Sequence, residues 1–171
     1  MYSQIKLSAC DFPNFLFWQC YLIIPQPRKS TQKTKNSTIL IPSDVQKAAL
    51  VDQYISVENS YFYPPLSKII IQEVFIKFRG GTKDPKIVEE AREEIGKVFD
   101  IYEKFLEGKN YIAGEFSLAD IFHYGGIQYA INTGHGDLLN DPKRPNVARW
   151  WKTISERESW KSTMAEHKLM S

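Results

Sequence analysis

At 171 residues, 43% of them hydrophobic, the chain is long enough to bury a core and short enough to be one domain with an extension. A formal net charge of +2 argues against a strongly polyanion-seeking surface, and two cysteines exclude a disulfide framework. No Cys/His grouping has zinc-site spacing, so no metal is expected.

The charge is uneven along the chain. Residues 1–42 hold Lys6, Arg28, Lys29, Lys33 and Lys35 against Asp11 alone, leaving 17 basic and 19 acidic residues for the rest. From Phe12 to Pro25 the sequence is aromatic and aliphatic, but Pro13, Asn14 and Gln19 interrupt it, and it falls short of the roughly 18 apolar residues that span a membrane. Asp11 precedes the run and no small-x-small cleavage site follows. A secretory signal is therefore disfavoured and a cytoplasmic location expected. Gln26 to Asn36 has no aliphatic residue and reads as a flexible basic linker. No aromatic side chain sits among its cations to stack on bases, which argues against nucleic-acid binding. Residues 1–42 are thus an atypical extension with a linker, and a folded unit is expected over 43–171.

From Asp44 the apolar spacing is helical. Val45, Ala48, Val51, Ile55, Glu58 and Phe62 recur at three or four residues, with Leu50, Tyr54, Val57 and Tyr61 on a neighbouring stripe. Pro64-Pro65 lacks two amides and is expected to bend the helix. A second run, Leu66, Ile69, Ile70, Glu73, Val74, Lys77 and Phe78, ends at Gly80-Gly81. Asp84 as N-cap and Pro85 at the first helical position open an amphipathic helix. Its inner stripe is Val88, Ala91, Ile95, Val98, Tyr102 and Phe105, and Gly108 stops it. Glu89, Glu90, Glu93 and Glu94 read as its solvated face rather than a cation site.

Phe116-Ser117-Leu118-Ala119-Asp120-Ile121 carries a helix start twice over. Ser117 and Asp120 have capping-box spacing, with Asp in place of the commoner Glu or Gln, and Phe116 and Ile121 have the spacing of a hydrophobic staple. Ile121 to Thr133 contains no Lys, Arg, Asp or Glu, which marks a helix buried on most sides. His123 within it reads as a satisfied core histidine, since no Ser, Cys or metal ligand is spaced to work with it. His135, between two glycines, reads as a solvent-facing loop residue. Asn146 to Ile154 forms a further helix around Trp150-Trp151, and a short last one begins near Ser159. The whole is an all-α bundle.

Taken in order, these stretches resemble the C-terminal helical domain of cytosolic glutathione transferases, most closely the phi class. The resemblance rests on Val57-Glu58 with Phe62 and Pro64, on Val88-Glu89-Glu90 through Val98-Phe99-Asp100-Ile101-Tyr102-Glu103, and on Tyr111-Ile112-Ala113-Gly114 leading into Phe116-Ser117-Leu118-Ala119-Asp120. Gln128-Tyr129 and Arg144 through Trp151 to Trp160 complete it. It implies conjugation of glutathione, as co-substrate and without another cofactor, to small hydrophobic electrophiles. It also implies an acceptor site lined by Phe62, with Tyr61 beside it, and by Phe122, His123 and Tyr129 on the central helix. The same aromatic residues at helical spacing are what a packed core needs.

Residues 1–42 depart from the family pattern. Members of the family begin with a thioredoxin-like domain that holds glutathione, and this segment is too short for its strands and helices. Ser8 and Cys10 lie near where the phi-class nucleophile would fall, but without the strand-turn-helix context that activates it. The resemblance therefore leaves open a transferase whose acceptor half lies in this chain, a non-catalytic helical interaction module, and a truncated transferase without activity. A homo-oligomer, or pairing with a thioredoxin-like domain, would cover the face that such a domain normally occupies.

Overall fold

In a computed structural model of the chain, residues 40–166 are described. Residues 1–39, which hold the linker, Ser8 and Cys10, lie outside them. Among the described residues there is helix and no strand, as the apolar spacing requires. A long helical rod comprises α1 (Val45–Val57), α2 (Tyr63–Ile70) and α3 (Ile76–Phe78), joined by π-turns at Glu58–Phe62 and Ile71–Phe75. Then follow α4 (Pro85–Phe105), α5 (Leu118–Asn132), a 3-10 turn (Gly136–Leu139), α6 (Pro145–Ser155) and α7 (Glu158–Glu166).

Pro64-Pro65 does not divide the rod. The residues on either side of the junction, Val57 and Tyr63, stay right-handed helical, and the Tyr63 amide donates to the Glu58 carbonyl five residues back. That wider turn accommodates a helix whose next two residues cannot donate, and packing holds it in place. Phe62, Leu66 and Ile69 are at most 2% exposed. The rod ends where the glycines are placed. With Gly80 at φ 73°, the Gly81 amide reaches the Ile76 carbonyl and the Gly80 amide the Lys77 carbonyl, both at 2.9 Å. This is the paired bonding of a Schellman cap, and it needs the left-handed backbone that glycine allows.

The α4 helix starts as its sequence dictates, with Asp84 Oδ1 accepting from the Lys86 amide at 2.9 Å. It lays Val88, Ala91, Ile95, Phe99 and Tyr102 inward, packing on the rod and on α6, and Tyr102 reaches His123 of the central α5. The core runs through Phe62, Tyr102, His123 and Trp150, all at most 1% exposed. The Phe62 ring stacks on Tyr102 at 5.8 Å between centroids, and Tyr102 meets Trp150 edge to face at 6.2 Å. Burying each such side chain contributes about 1.5–3 kcal/mol before entropy is counted. The rod and α5 approach so closely that a Cβ on Gly126 would lie 2.4 Å from Leu66 Cδ2.

The α6 helix has no capping side chain of its own, because its N-cap is Arg144. Glu103 of α4 fills the role from a distance, its two carboxylate oxygens each accepting at 3.0 Å, one from the Asn146 amide and one from the Val147 amide. An anion at that end also suits the helix dipole. Glu103→Ala is therefore expected to cost about 1 kcal/mol, in the range of a lost N-cap. Urea unfolding of the two chains measures it, and equal midpoints would show that water replaces the carboxylate without loss.

Candidate functional site

The central helix is fixed first at its start. Asp120 has no exposure and accepts three hydrogen bonds: from the Ser117 amide at 3.1 Å, the Ile112 amide at 3.1 Å and Trp150 Nε1 at 2.9 Å. Ser117 and Asp120 stand in a capping-box arrangement, and the carboxylate limb is the firm one. The Ser117 hydroxyl is buried without a hydrogen bond of ordinary geometry. Asp120 therefore joins the loop before α5, the start of α5 and the middle of α6, which is more than capping requires. Burial pushes its carboxyl above the ordinary range, against the downward pull of the Trp150, Ile112 and Ser117 donors.

The five aromatic and histidine positions expected on the acceptor face are not equivalent. Phe62 and His123 have no exposure, and their rings touch at 4.6 Å. The His123 ring is held at both ends, Nδ1–H donating to the Ala119 carbonyl at 2.7 Å and Nε2 accepting from the Tyr102 hydroxyl at 3.0 Å. Burial lowers the His123 pKa to about 4, so the ring is neutral near pH 7. Tyr129 is 5% exposed. Phe122 is half-buried, and Tyr61 stands out from the first π-turn at 66% exposure. Along α5, Leu118, Ile121, Phe122, Gly125 and Gln128 form a half-buried stripe without a charge. A Cβ on Gly125 would meet nothing within 4 Å, so the middle of that stripe is open.

His135 does not face solvent. It is 8% exposed and sits between Arg92 and Glu73. A guanidinium only donates, so His135 Nδ1, 2.8 Å from Arg92 Nη1, is the acceptor and Nε2–H donates to Glu73 Oε1 at 3.2 Å. Glu73 is buried as well and also accepts from Lys77 Nζ at 2.8 Å and Lys83 Nζ at 2.6 Å. Arg92 continues the chain of contacts to Asp137. Sequence reasoning missed Glu58 and Glu73 as buried groups, although both stood in apolar register on the rod. A carboxylate at a core position is the signal that marks them.

Glu89, Glu90, Glu93 and Glu94 are exposed, with Glu94 paired to Lys68 at 2.8 Å across to α2. A shallow groove along α4 brings Glu89, Glu93 and Asp100 together with Arg92, Lys97 and Arg144. Its charges balance, and both arginines are paired to aspartates. Among the described residues no His/Cys/Asp/Glu group could hold a metal ion, and no helix is long and apolar enough to cross a membrane.

Residues 60–158 match the family model of the glutathione S-transferase C-terminal domain. Glutathione S-transferase F11 of Arabidopsis thaliana is 36% identical over 137 residues, covering 79% of this chain and 63% of its own length. Glutathione S-transferase 1 of Zea mays is 33% identical over 132 residues, covering 77% and 61%. Maize glutathione S-transferase I, solved in complex with an atrazine glutathione conjugate, superposes with a TM-score of 0.71 at 30% identity, over 84% of this chain and 64% of that one. These plant relatives agree with the phi-class resemblance read from the sequence. The chain spans less than two thirds of the length of these relatives.

Proposed function

The chain belongs to the glutathione S-transferase family through its C-terminal helical domain, and from that premise we propose that it acts in the conjugation of glutathione to hydrophobic electrophiles. In this reading the helices supply the apolar half of the site, where the electrophile rests, and the glutathione-holding half lies outside residues 40–166. The observation that carries the reading is the charge-free, half-buried stripe of α5, from Leu118 through Phe122 and Gly125 to Gln128. A helix face that is neither sealed nor charged suits an apolar ligand better than solvent. Tyr61 and Phe122, the two candidates with accessible rings, are the ones able to touch such a ligand. Phe62, His123 and Tyr129 act from beneath, as the packed floor. The reaction joins the glutathione sulfur to the electrophilic carbon and expels the leaving group. No described residue is assigned to activating the thiol.

The test is retention on immobilised glutathione, with conjugation of a chlorinated nitrobenzene by the full chain. The chain alone is expected to show neither; with a thioredoxin-like, glutathione-binding domain supplied, retention and turnover above the uncatalysed rate are expected, and Phe122→Ala is expected to raise KM for the electrophile more than it lowers kcat. Absence of both activities with that domain supplied, and an intact helical far-ultraviolet spectrum, would favour a helical interaction module instead. The detoxifying role and the cytoplasmic location belong to the same proposal, as do a homo-oligomer or a thioredoxin-like partner domain.

A further inference from the structure

Glu58 opens the first π-turn and is only 5% exposed, yet among the described residues its carboxyl has neither an ion pair nor a hydrogen bond. Its backbone is fully engaged, the amide donating back to Tyr54 and Ile55 and the carbonyl accepting from the Tyr63 amide. The contrast with Glu73, on the second π-turn, is complete: that carboxylate has two lysines and a histidine.

Four helices pack against the first π-turn: α1, α2, α4 and α5. From α1 comes Tyr54, one turn earlier and 8% exposed. From α4 comes Tyr102, which feels the charges of both Glu58 and Tyr54. The α5 helix brings His123, neutral and already occupied by the Tyr102 hydroxyl. The α2 helix brings Tyr63 and Lys68, the lysine committed to Glu94. Among the described residues, no cation therefore stands against Glu58 to neutralise a charge on it. Around it stand aromatic rings, Tyr54 against Phe105 at 5.5 Å and Phe62 against Tyr102 at 5.8 Å.

We infer that Glu58 is a proton-controlled latch on the first π-turn. Neutral, its carboxyl lets the wide turn lie against the aromatic core. Deprotonated, it needs fuller contact with water than a residue 5% exposed has, which loosens Glu58–Phe62 and the Phe62 ring that this turn seats in the core. Burial alone pushes the group up to about 8. For a carboxyl raised in this way, the stabilising contribution is complete below the ordinary value near 4.5 and is lost as pH rises through about 8. The same turn carries the exposed Tyr61, so the latch would also set how that ring is presented. The inference stands whether or not the α5 stripe binds an electrophile.

The experiment compares the full chain with its Glu58→Gln variant by thermal unfolding between pH 5 and pH 9. Hydrogen exchange of the Phe62, Tyr63 and Leu66 amides is followed in parallel, corrected for intrinsic rates. The native midpoint is expected to fall by about 5 °C or more across that range, while the variant falls much less and is the more stable chain at pH 8.5. Exchange at those amides is expected to quicken with pH in the native chain alone. Identical pH profiles for the two chains would overturn the inference. Should the variant fail to fold, titration of the native Glu58 carboxyl carbon by NMR decides: a midpoint in the ordinary carboxylate range overturns the latch, and one near 8 supports it.

Discussion

Asp120→Ala is expected to destabilise the fold by about 3–5 kcal/mol, because it strands several buried donors at once and each costs about 1–3 kcal/mol without full additivity. The donors are the Ser117 and Ile112 amides and the Trp150 indole. They belong to the α5 entry, the preceding loop and α6, so a single truncation loosens three parts of the core. Against a domain stability of about 5–15 kcal/mol, this is a large share. Asp120→Asn separates the limbs. One amide oxygen can still serve Ile112 and Trp150, which share Oδ1, while the side-chain nitrogen now faces the Ser117 amide. Asn also escapes the cost of burying a carboxylate, which pushes the Asp120 carboxyl above its ordinary range. The Asn chain is therefore expected to lose about 1–2 kcal/mol, clearly less than Ala. Urea unfolding of the three chains checks the order. Equal losses for Ala and Asn would mean that only the Ser117 limb matters and that the contacts to Ile112 and Trp150 are idle.

Much of this arrangement is written locally. Ser117 and Asp120 are three residues apart, and Asp84-Pro85 and Gly80-Gly81 mark helix ends through backbone chemistry that neighbours hardly alter. The stripe of Val88, Ala91, Ile95 and Tyr102 shows the buried face of α4 in the same way. The two π-turns are not written locally. Nothing in Glu58–Phe62 or Ile71–Phe75 distinguishes an i+5 turn from an i+4 turn; the first packs against α4 and α5, and the second is tied to the Lys83–Asp84 loop and to His135. Pro64-Pro65 shows the contest, since a strong local breaker is overridden by the burial of Phe62, Leu66 and Ile69. His135 was beyond reach for a related reason. Its two glycine neighbours indicate a loop, whereas its partner Glu73 lies 62 residues earlier in the chain. As for the candidate site, composition shows the charge-free run of α5, but only the fold distinguishes the sealed Phe62 from the exposed Tyr61.

Glu73→Gln is expected to cost about 2 kcal/mol near neutral pH and to flatten the acid side of the stability profile, where the linkage of a lowered carboxylate pKa acts. Burial raises the Glu73 pKa, but the hydrogen bonds from Lys77, Lys83 and His135 outweigh it and bring the group down to about 2. For a carboxylate depressed in this way, the contribution is present above the ordinary value of 4.5 and is lost as pH falls through about 2. The magnitude is held to about 2 kcal/mol because the Lys77 and Lys83 side chains are 57% and 41% exposed, and solvent screens what they contribute. Gln can still accept from one partner, but it carries no charge for the lysines and places an N–H group where one of the three donors arrives. The contacts of the second π-turn with the Lys83 loop and with His135 weaken together. Unfolding free energies of native and variant chains between pH 2 and pH 7 provide the measurement. The two curves are expected to converge toward pH 2, as protonation removes from the native chain what the variant already lacks. Parallel curves would show that Glu73 is not the group that ties the second π-turn to the acid limb.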